Sequence, residues 1–227
     1  MIPLRDINPI RTTPVVNYLI IIVNVLTFMW ELSFGPNLER ALFNVAFIPA
    51  RFWIPGYLLP NLITMFISMF LHGGLLHIAS NMLYLWIFGD NIEDRLGHGR
   101  YLIFYLLCGF GATLSHAFFN PTSRVPAIGA SGAIAGVLGA YLILFPRAQV
   151  TTLIPIFFFI TIRELPAVII LGLWFVLQLF SGVGSLSVAG AEQAGGVAYF
   201  AHIGGFVLGM ILVVVMGGMR KRYYRAY

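Results

Sequence analysis

Six long apolar stretches run through this chain, separated by short polar or Pro/Gly-rich breaks. A helix needs ~20 apolar residues to cross the hydrocarbon core of a bilayer. The pattern predicts spans at about residues 15–32, 62–88, 101–119, 130–145, 165–180 and 197–216. Two further apolar runs do not read as spans. Residues 33–61 hold Phe43, Phe47, Trp53 and Tyr57, yet Pro49, Pro55, Gly56 and Pro60 interrupt them. A continuous helix is excluded there, and the expectation is a compact, membrane-associated outer loop with short helical pieces. Residues 150–162 are apolar but short and carry Pro155, which predicts an interfacial or re-entrant segment.

Composition agrees with that pattern. Of 227 residues, 59% are hydrophobic and 9% charged, against roughly 25% charged in a soluble domain. The fold class expected is an all-α polytopic membrane protein with six transmembrane helices. Its parts would be an N-terminus at 1–14, a membrane domain at 15–217 with a cap loop at 181–196, and a basic tail at 218–227. The polar start followed by repeated spans does not read as a cleavable signal peptide, and no organelle targeting sequence is visible. That favours a prokaryotic plasma (inner) membrane. Cys108 is the only cysteine, so a disulfide framework is excluded.

The net charge is +5. In a membrane protein this reports on topology and contact with anionic lipid, not on nucleic acid. With both termini placed in the cytoplasm, the inner segments hold ten cationic residues, among them Arg95, Arg100, Arg147, Arg163 and the Arg220 to Arg225 cluster. The outer segments hold Arg40, Arg51 and Arg124. This asymmetry fits the positive-inside rule and an even number of spans.

Polar side chains inside apolar runs mark candidate chemistry. They are His72, His77 and Asn81 in the second span, His116 in the third, Ser131 opening the fourth and His202 near the start of the sixth. His77 and Asn81, four apart, share a helix face. The second, fourth and sixth spans run inward, so His77, Ser131 and His202 could meet in one cavity open to the outside. Gly132 and Gly136 on the fourth span, and Gly205 and Gly209 on the sixth, form small-residue faces that let backbones approach closely. A hydroxyl needs a base to become a nucleophile, and an imidazole suits that task. The oxyanion formed in acyl transfer needs donors. The Ser131 N–H at a helix start, Asn81 and His77 are available. Every Asp and Glu falls in a loop or at a span edge, so the expectation is a Ser131–His202 dyad with the imidazole oriented by packing, and no metal or cofactor. Small residues in spans are more often packing than chemistry, and His72 and His116 read best as structural.

Taken together, His72-Gly-Gly-x-x-His77-x-x-x-Asn81, Gly129-x-Ser131-Gly132 and Ala201-His202-x-Gly204-Gly205 resemble the rhomboid family of intramembrane serine proteases, over nearly the whole chain. The resemblance implies cleavage of single-span membrane proteins in or beside their transmembrane helix. It implies Ser131 as nucleophile, His202 as general base, and His77, Asn81 and the Ser131 N–H as the oxyanion site. It also implies a membrane-embedded first loop, residues 181–196 as a cap, and the fifth span as a lateral substrate gate. Two positions depart from the family pattern. Ile63-Thr64 stand where many members carry Trp-Arg, and Ala135 stands where some place an aromatic that stacks on the base. Two other classes stay open on the residues: a non-catalytic membrane-protein chaperone of the same fold, and a His-lined transporter. Oligomeric state is open.

Overall fold

The computed structural model describes residues 1–156, 159–187 and 198–219. The order of elements is β1 (Ile2–Asp6), α1 (Val15–Leu32), a short 3-10 turn (Gly35–Asn37), α2 (Leu38–Val45), α3 (Pro49–Phe52), α4 (Leu58–Ser68), α5 (Leu75–Leu96), α6 (His98–Phe119), α7 (Ser131–Leu144), β2 (Gln149–Ile156), β3 (Phe159–Pro166), α8 (Ala167–Ser187) and α9 (Tyr199–Val215). The structure is mostly helical. Among the described residues, α1, α6 and the Ala167–Ser185 part of α8 are long and apolar enough to cross a membrane, and α4, α7 and α9 are shorter apolar helices.

α7 is the axis of the bundle. Its 14 residues rise only about 21 Å at 1.5 Å each, less than the ~30 Å hydrocarbon core. Every residue from Gly132 to Tyr141 is buried, so protein rather than lipid surrounds it. Glycines set the contact with α9. A methyl on Gly205 would land on the carbonyl oxygen of Gly132, and one on Gly209 on that of Gly136. A methyl on Gly136 would also meet the Cys108 side chain of α6 at 2.5 Å. These backbones touch because no Cβ stands between them.

Polar contacts join the outer helices. The Glu93 carboxylate of α5 accepts the N–H groups of Val16 at 2.9 Å and Asn17 at 2.6 Å. It thereby satisfies orphan donors at the start of α1, where negative charge is favoured. The Asn17 amide donates to the Leu85 carbonyl at 3.0 Å and accepts from Tyr101 Oη at 2.8 Å, tying α1 to α5 and α6. Such interhelical bonds in apolar surroundings are worth about 0.6–2 kcal/mol each.

Three expectations are corrected. The second span is not one helix. α4 stops at Ser68, and the chain turns through Gly73 (φ +48°) and extended Gly74 before α5 starts. His72 therefore lies in the turn and not on the helix of His77. Residues 150–162 are not a re-entrant segment but most of a β-hairpin, β2 paired antiparallel to β3 from Gln149↔Pro166 to Ile156↔Phe159. The run is rich in Val, Ile and Thr, which favour strands, so an all-helical reading lacks this sheet. β1 adds to it with Ile2↔Leu153 and Asp6↔Val150 in register, so part of the N-terminus at 1–14 is built into the fold. Third, residues 181–187 of the expected cap loop continue α8. The remainder of the cap, 188–196, and the tail from 220 lie outside the described residues.

The first loop is held by its backbone. The Phe47 N–H donates to Ser68 Oγ at 2.7 Å, the Phe47 carbonyl accepts from the Ala127 N–H at 2.8 Å, and the Ala50 N–H donates to the Ser123 carbonyl at 2.9 Å. Phe47 and Ile48 are buried, while Phe43, Trp53, Ile54, Tyr57, Leu58 and Leu59 are exposed. These bonds fasten the loop to the end of α4 at Ser68 and to the segment 123–127 before α7.

Candidate active site

The start of α7 and the first turns of α9 bring Ser131 and His202 together. Ser131 is the first residue of α7, and its Oγ lies 2.8 Å from His202 Nε2. The other ring nitrogen, Nδ1, lies 2.8 Å from Oε1 of Gln178 on α8. An amide oxygen only accepts, so Nδ1 carries the proton and donates to Gln178. Nε2 is then left with a lone pair to accept the Ser131 hydroxyl. Among the described residues no carboxylate bonds this ring.

Packing fixes the ring from the same side. The Trp174 indole, one turn before Gln178 on α8, lies 5.8 Å from the His202 ring centroid at 35°, and at a similar distance from Phe206. Phe206 in turn stacks on Phe175 at 4.5 Å. Ala135 of α7 is fully buried and offers no ring, so the aromatic support comes from α8. His202 is thus oriented by packing and by a hydrogen bond together. The signal for Gln178 was an uncharged amide inside an apolar run, four residues after Trp174 and so on the same helix face. A search for ionisable groups passes over it.

The turn before α7 presents the next group. Gly129 has φ +125°, a conformation open mainly to glycine, and its N–H donates to the Ser68 carbonyl at 2.9 Å. A methyl on Gly129 would stand 2.7 Å from His77 Nε2 and 3.5 Å from Ser131 Oγ. The imidazole and the hydroxyl thus flank one point. Asn81, one turn beyond His77 on α5, is buried, and its Nδ2 has no hydrogen-bond partner among the described residues. The first N–H groups of α7, Ser131 among them, lack intrahelical acceptors by the geometry of a helix start.

Ser131, His202, His77, Asn81, Trp174 and Ala135 line one cavity of about 980 Å³. His72 and His116 line it as well. The His72 ring lies 5.1 Å from that of His77, and its Nε2 is buried without a partner among the described residues. His116 Nδ1 accepts from Asn120 Nδ2 at 3.0 Å. Glu31, at the end of α1, holds the turn that carries His72. Its carboxylate accepts the N–H groups of His72 at 2.8 Å and Gly73 at 3.1 Å. Gly132, Gly136, Gly205 and Gly209 do not face the cavity chemistry; they set the distance between α7 and α9. Among the described residues no group of three or more His, Cys, Asp or Glu side chains is placed so that it could hold a metal ion.

A protein-family model described as the Rhomboid domain matches residues 60–219. RHOMBOID-like protein 4 of Arabidopsis thaliana is 35% identical over 146 residues, which is 64% of this chain and 32% of that protein. Rhomboid protein 1, mitochondrial, of Saccharomyces cerevisiae is 28% identical over 148 residues, 63% of this chain and 39% of that protein. Rhomboid protease GluP of Bacillus subtilis is 44% identical over 72 residues, 32% of this chain and 14% of that protein. The matched stretches thus span well under half of the length of these relatives.

Proposed function

Because the chain belongs to the rhomboid family and is an integral membrane protein, we propose that it is an intramembrane serine endopeptidase. The bonds it would hydrolyse lie in or next to the transmembrane helices of single-span proteins. The observation that carries this reading is the Ser131 Oγ to His202 Nε2 contact at 2.8 Å, with Nδ1 bonded to Gln178. A chaperone of the same fold has no need of that alignment.

In the proposed reaction Ser131 Oγ attacks the scissile carbonyl carbon while its proton passes to His202 Nε2. Negative charge then collects on the former carbonyl oxygen. Donors preorganised for it stabilise the transition state, each typically worth 10²–10³ in rate. The Ser131 N–H, the Asn81 Nδ2 group and His77 flank that position. Collapse expels the amine, which takes the proton from His202, and leaves an acyl ester on Ser131. A water deprotonated by His202 releases the acid and restores the hydroxyl. The cavity walls from His72, His116 and Asn120 offer polar groups along which water can reach the ester.

The charge asymmetry supports a topology with both termini cytoplasmic and the cavity opening to the outside. A substrate helix would enter laterally past α8, whose Val176, Leu177, Phe180 and Val183 are exposed. A fluorophosphonate probe on the purified protein in detergent tests the reading. Covalent labelling of the wild type, lost in Ser131→Ala and weakened in His202→Ala, is the expected result. Full labelling of Ser131→Ala overturns it.

A further inference from the structure

The protease reading leaves the base without a carboxylate, and the structure supplies another partner for it. Gln178 and Trp174 project from successive turns of α8 onto the same imidazole, one at its Nδ1 edge and the other beside its ring. Neither α7 nor α9 provides an equivalent contact; Ala135 of α7 is too small to reach the ring. We infer that Gln178 is the positioning residue of the dyad, taking the place of a triad acid, and that it makes the alignment of His202 depend on where α8 sits.

The chemistry of the amide explains its choice. A neutral imidazole has two tautomers, and only the one with the proton on Nδ1 leaves Nε2 free for the serine. An acceptor fixed at Nδ1 selects that tautomer. A carboxylate would do the same but would place a full charge in an apolar bundle, where desolvation is costly. The Gln178 oxygen selects the tautomer with a dipole alone. No covalent step involves Gln178, and it touches neither substrate nor the reacting atoms.

The location adds a condition. α8 presents much of its surface outward, with Val168, Ile169, Leu173, Val176 and Leu177 all exposed. It meets α9 closely at Gly182, where a methyl would stand 3.2 Å from the Ile203 side chain and 3.4 Å from Tyr199 Cβ. Any outward movement of α8 at the level of Gln178 removes both the acceptor and the indole from the ring. The serine loses its activated base whenever that helix is displaced.

This inference rests on the protease reading, and the test separates the two. Gln178→Leu, Gln178→Asn and Gln178→Glu are compared with wild type by fluorophosphonate labelling rate, by kcat and KM on a single-span substrate, and by the pH profile of kcat/KM. Leu removes the acceptor, and Asn is one methylene too short to reach. Both are expected to lower labelling rate and kcat by roughly 10- to 100-fold with KM within about twofold, part of the 10²–10⁴ a general base supplies. Glu keeps an acceptor at the same reach and is expected to restore labelling, with the acid limb of the profile displaced to higher pH. A merely structural role would not move that limb. Wild-type labelling and turnover in Gln178→Leu, or a Glu variant as impaired as Leu with an unmoved limb, overturns the role of Gln178 while the protease reading stands. A wild-type protein that takes no label overturns both.

Discussion

Gly205 of α9 lies against Gly132 of α7, backbone to backbone, and Gly132 is the residue that follows the proposed nucleophile. The separation of the two helices at this point is also the separation of the dyad. A side chain at Gly205 or Gly136 would push α9 or α6 away from α7. Overpacking of this kind costs about 1–3 kcal/mol. Gly205→Val and Gly136→Val are expected to lower cleavage of a single-span substrate more than tenfold, with Gly205→Val the worse. Turnover assays alongside thermal unfolding in detergent check this, and unchanged turnover in both variants would show that the glycine contact does not set the dyad.

Gly129 answers to two constraints at once, its φ of +125° and the His77 imidazole 2.7 Å from where a methyl would stand. Gly129→Ala is expected to shift His77 and cut kcat by ~10²-fold, the scale of a lost oxyanion donor. Labelling by fluorophosphonate should fall in parallel. A normal kcat would remove His77 from the oxyanion site.

Asn81→Ala is expected to lower kcat by about 10²–10³-fold while KM stays within a few fold, because the donor acts on the transition state more than on bound substrate. A rise in KM with kcat preserved would assign Asn81 to substrate binding instead.

Glu31 tethers the end of α1 to the turn between α4 and α5 through two N–H donors. Glu31→Ala leaves two donors without an acceptor, at about 1–3 kcal/mol for each buried unsatisfied group. The expected result is a lower midpoint of thermal unfolding, with Glu31→Gln intermediate because one amide oxygen replaces two carboxylate oxygens. Equal midpoints in all three proteins would show that the tether carries no stability.

Asp6 gives a pH test outside the membrane helices. Burial raises its carboxyl above the ordinary value, against the opposing bond from Tyr141 Oη. An acid whose folded pKa is raised destabilises the fold once it ionises, so the cost is absent at low pH and present above the raised pKa. Asp6→Asn keeps an oxygen to accept from Tyr141 and removes the charge. It is expected to raise the unfolding midpoint relative to wild type at pH 7–8, with the gain shrinking toward pH 4. A gain that does not depend on pH would place the effect elsewhere.

Much of the bundle was legible in the pattern of apolar residues, since a spanning helix has to be apolar along its length. The limits of α1 coincide with the first apolar run. The break after Ser68 was hidden because apolarity does not distinguish one helix from two joined by a short turn; Gly73-Gly74 was the local mark of it. The β-hairpin was hidden for a related reason. A largely apolar run of thirteen residues fits either a partial helix or strands, and its four Ile and three Thr were the deciding feature. Ser131 and His202 could be singled out because each is polar in an apolar run. Gln178 is polar in an apolar run too, but it is not ionisable, and its role comes from a contact with a residue 24 positions away on another helix, which no spacing rule within one helix reports.

The sheet also orders the assembly of the chain in time. β1 precedes its partner β2 by about 140 residues, which at 5–20 residues per second is a wait of roughly 7–30 s. Pairing of Ile2 with Leu153 and of Asp6 with Val150 therefore comes only after α1 to α7 have been synthesised. β1 is a late clasp: it closes over the end of α7 through Asp6 and Tyr141, so residues 2–6 find their place only after the helices that separate them from β2 have been made.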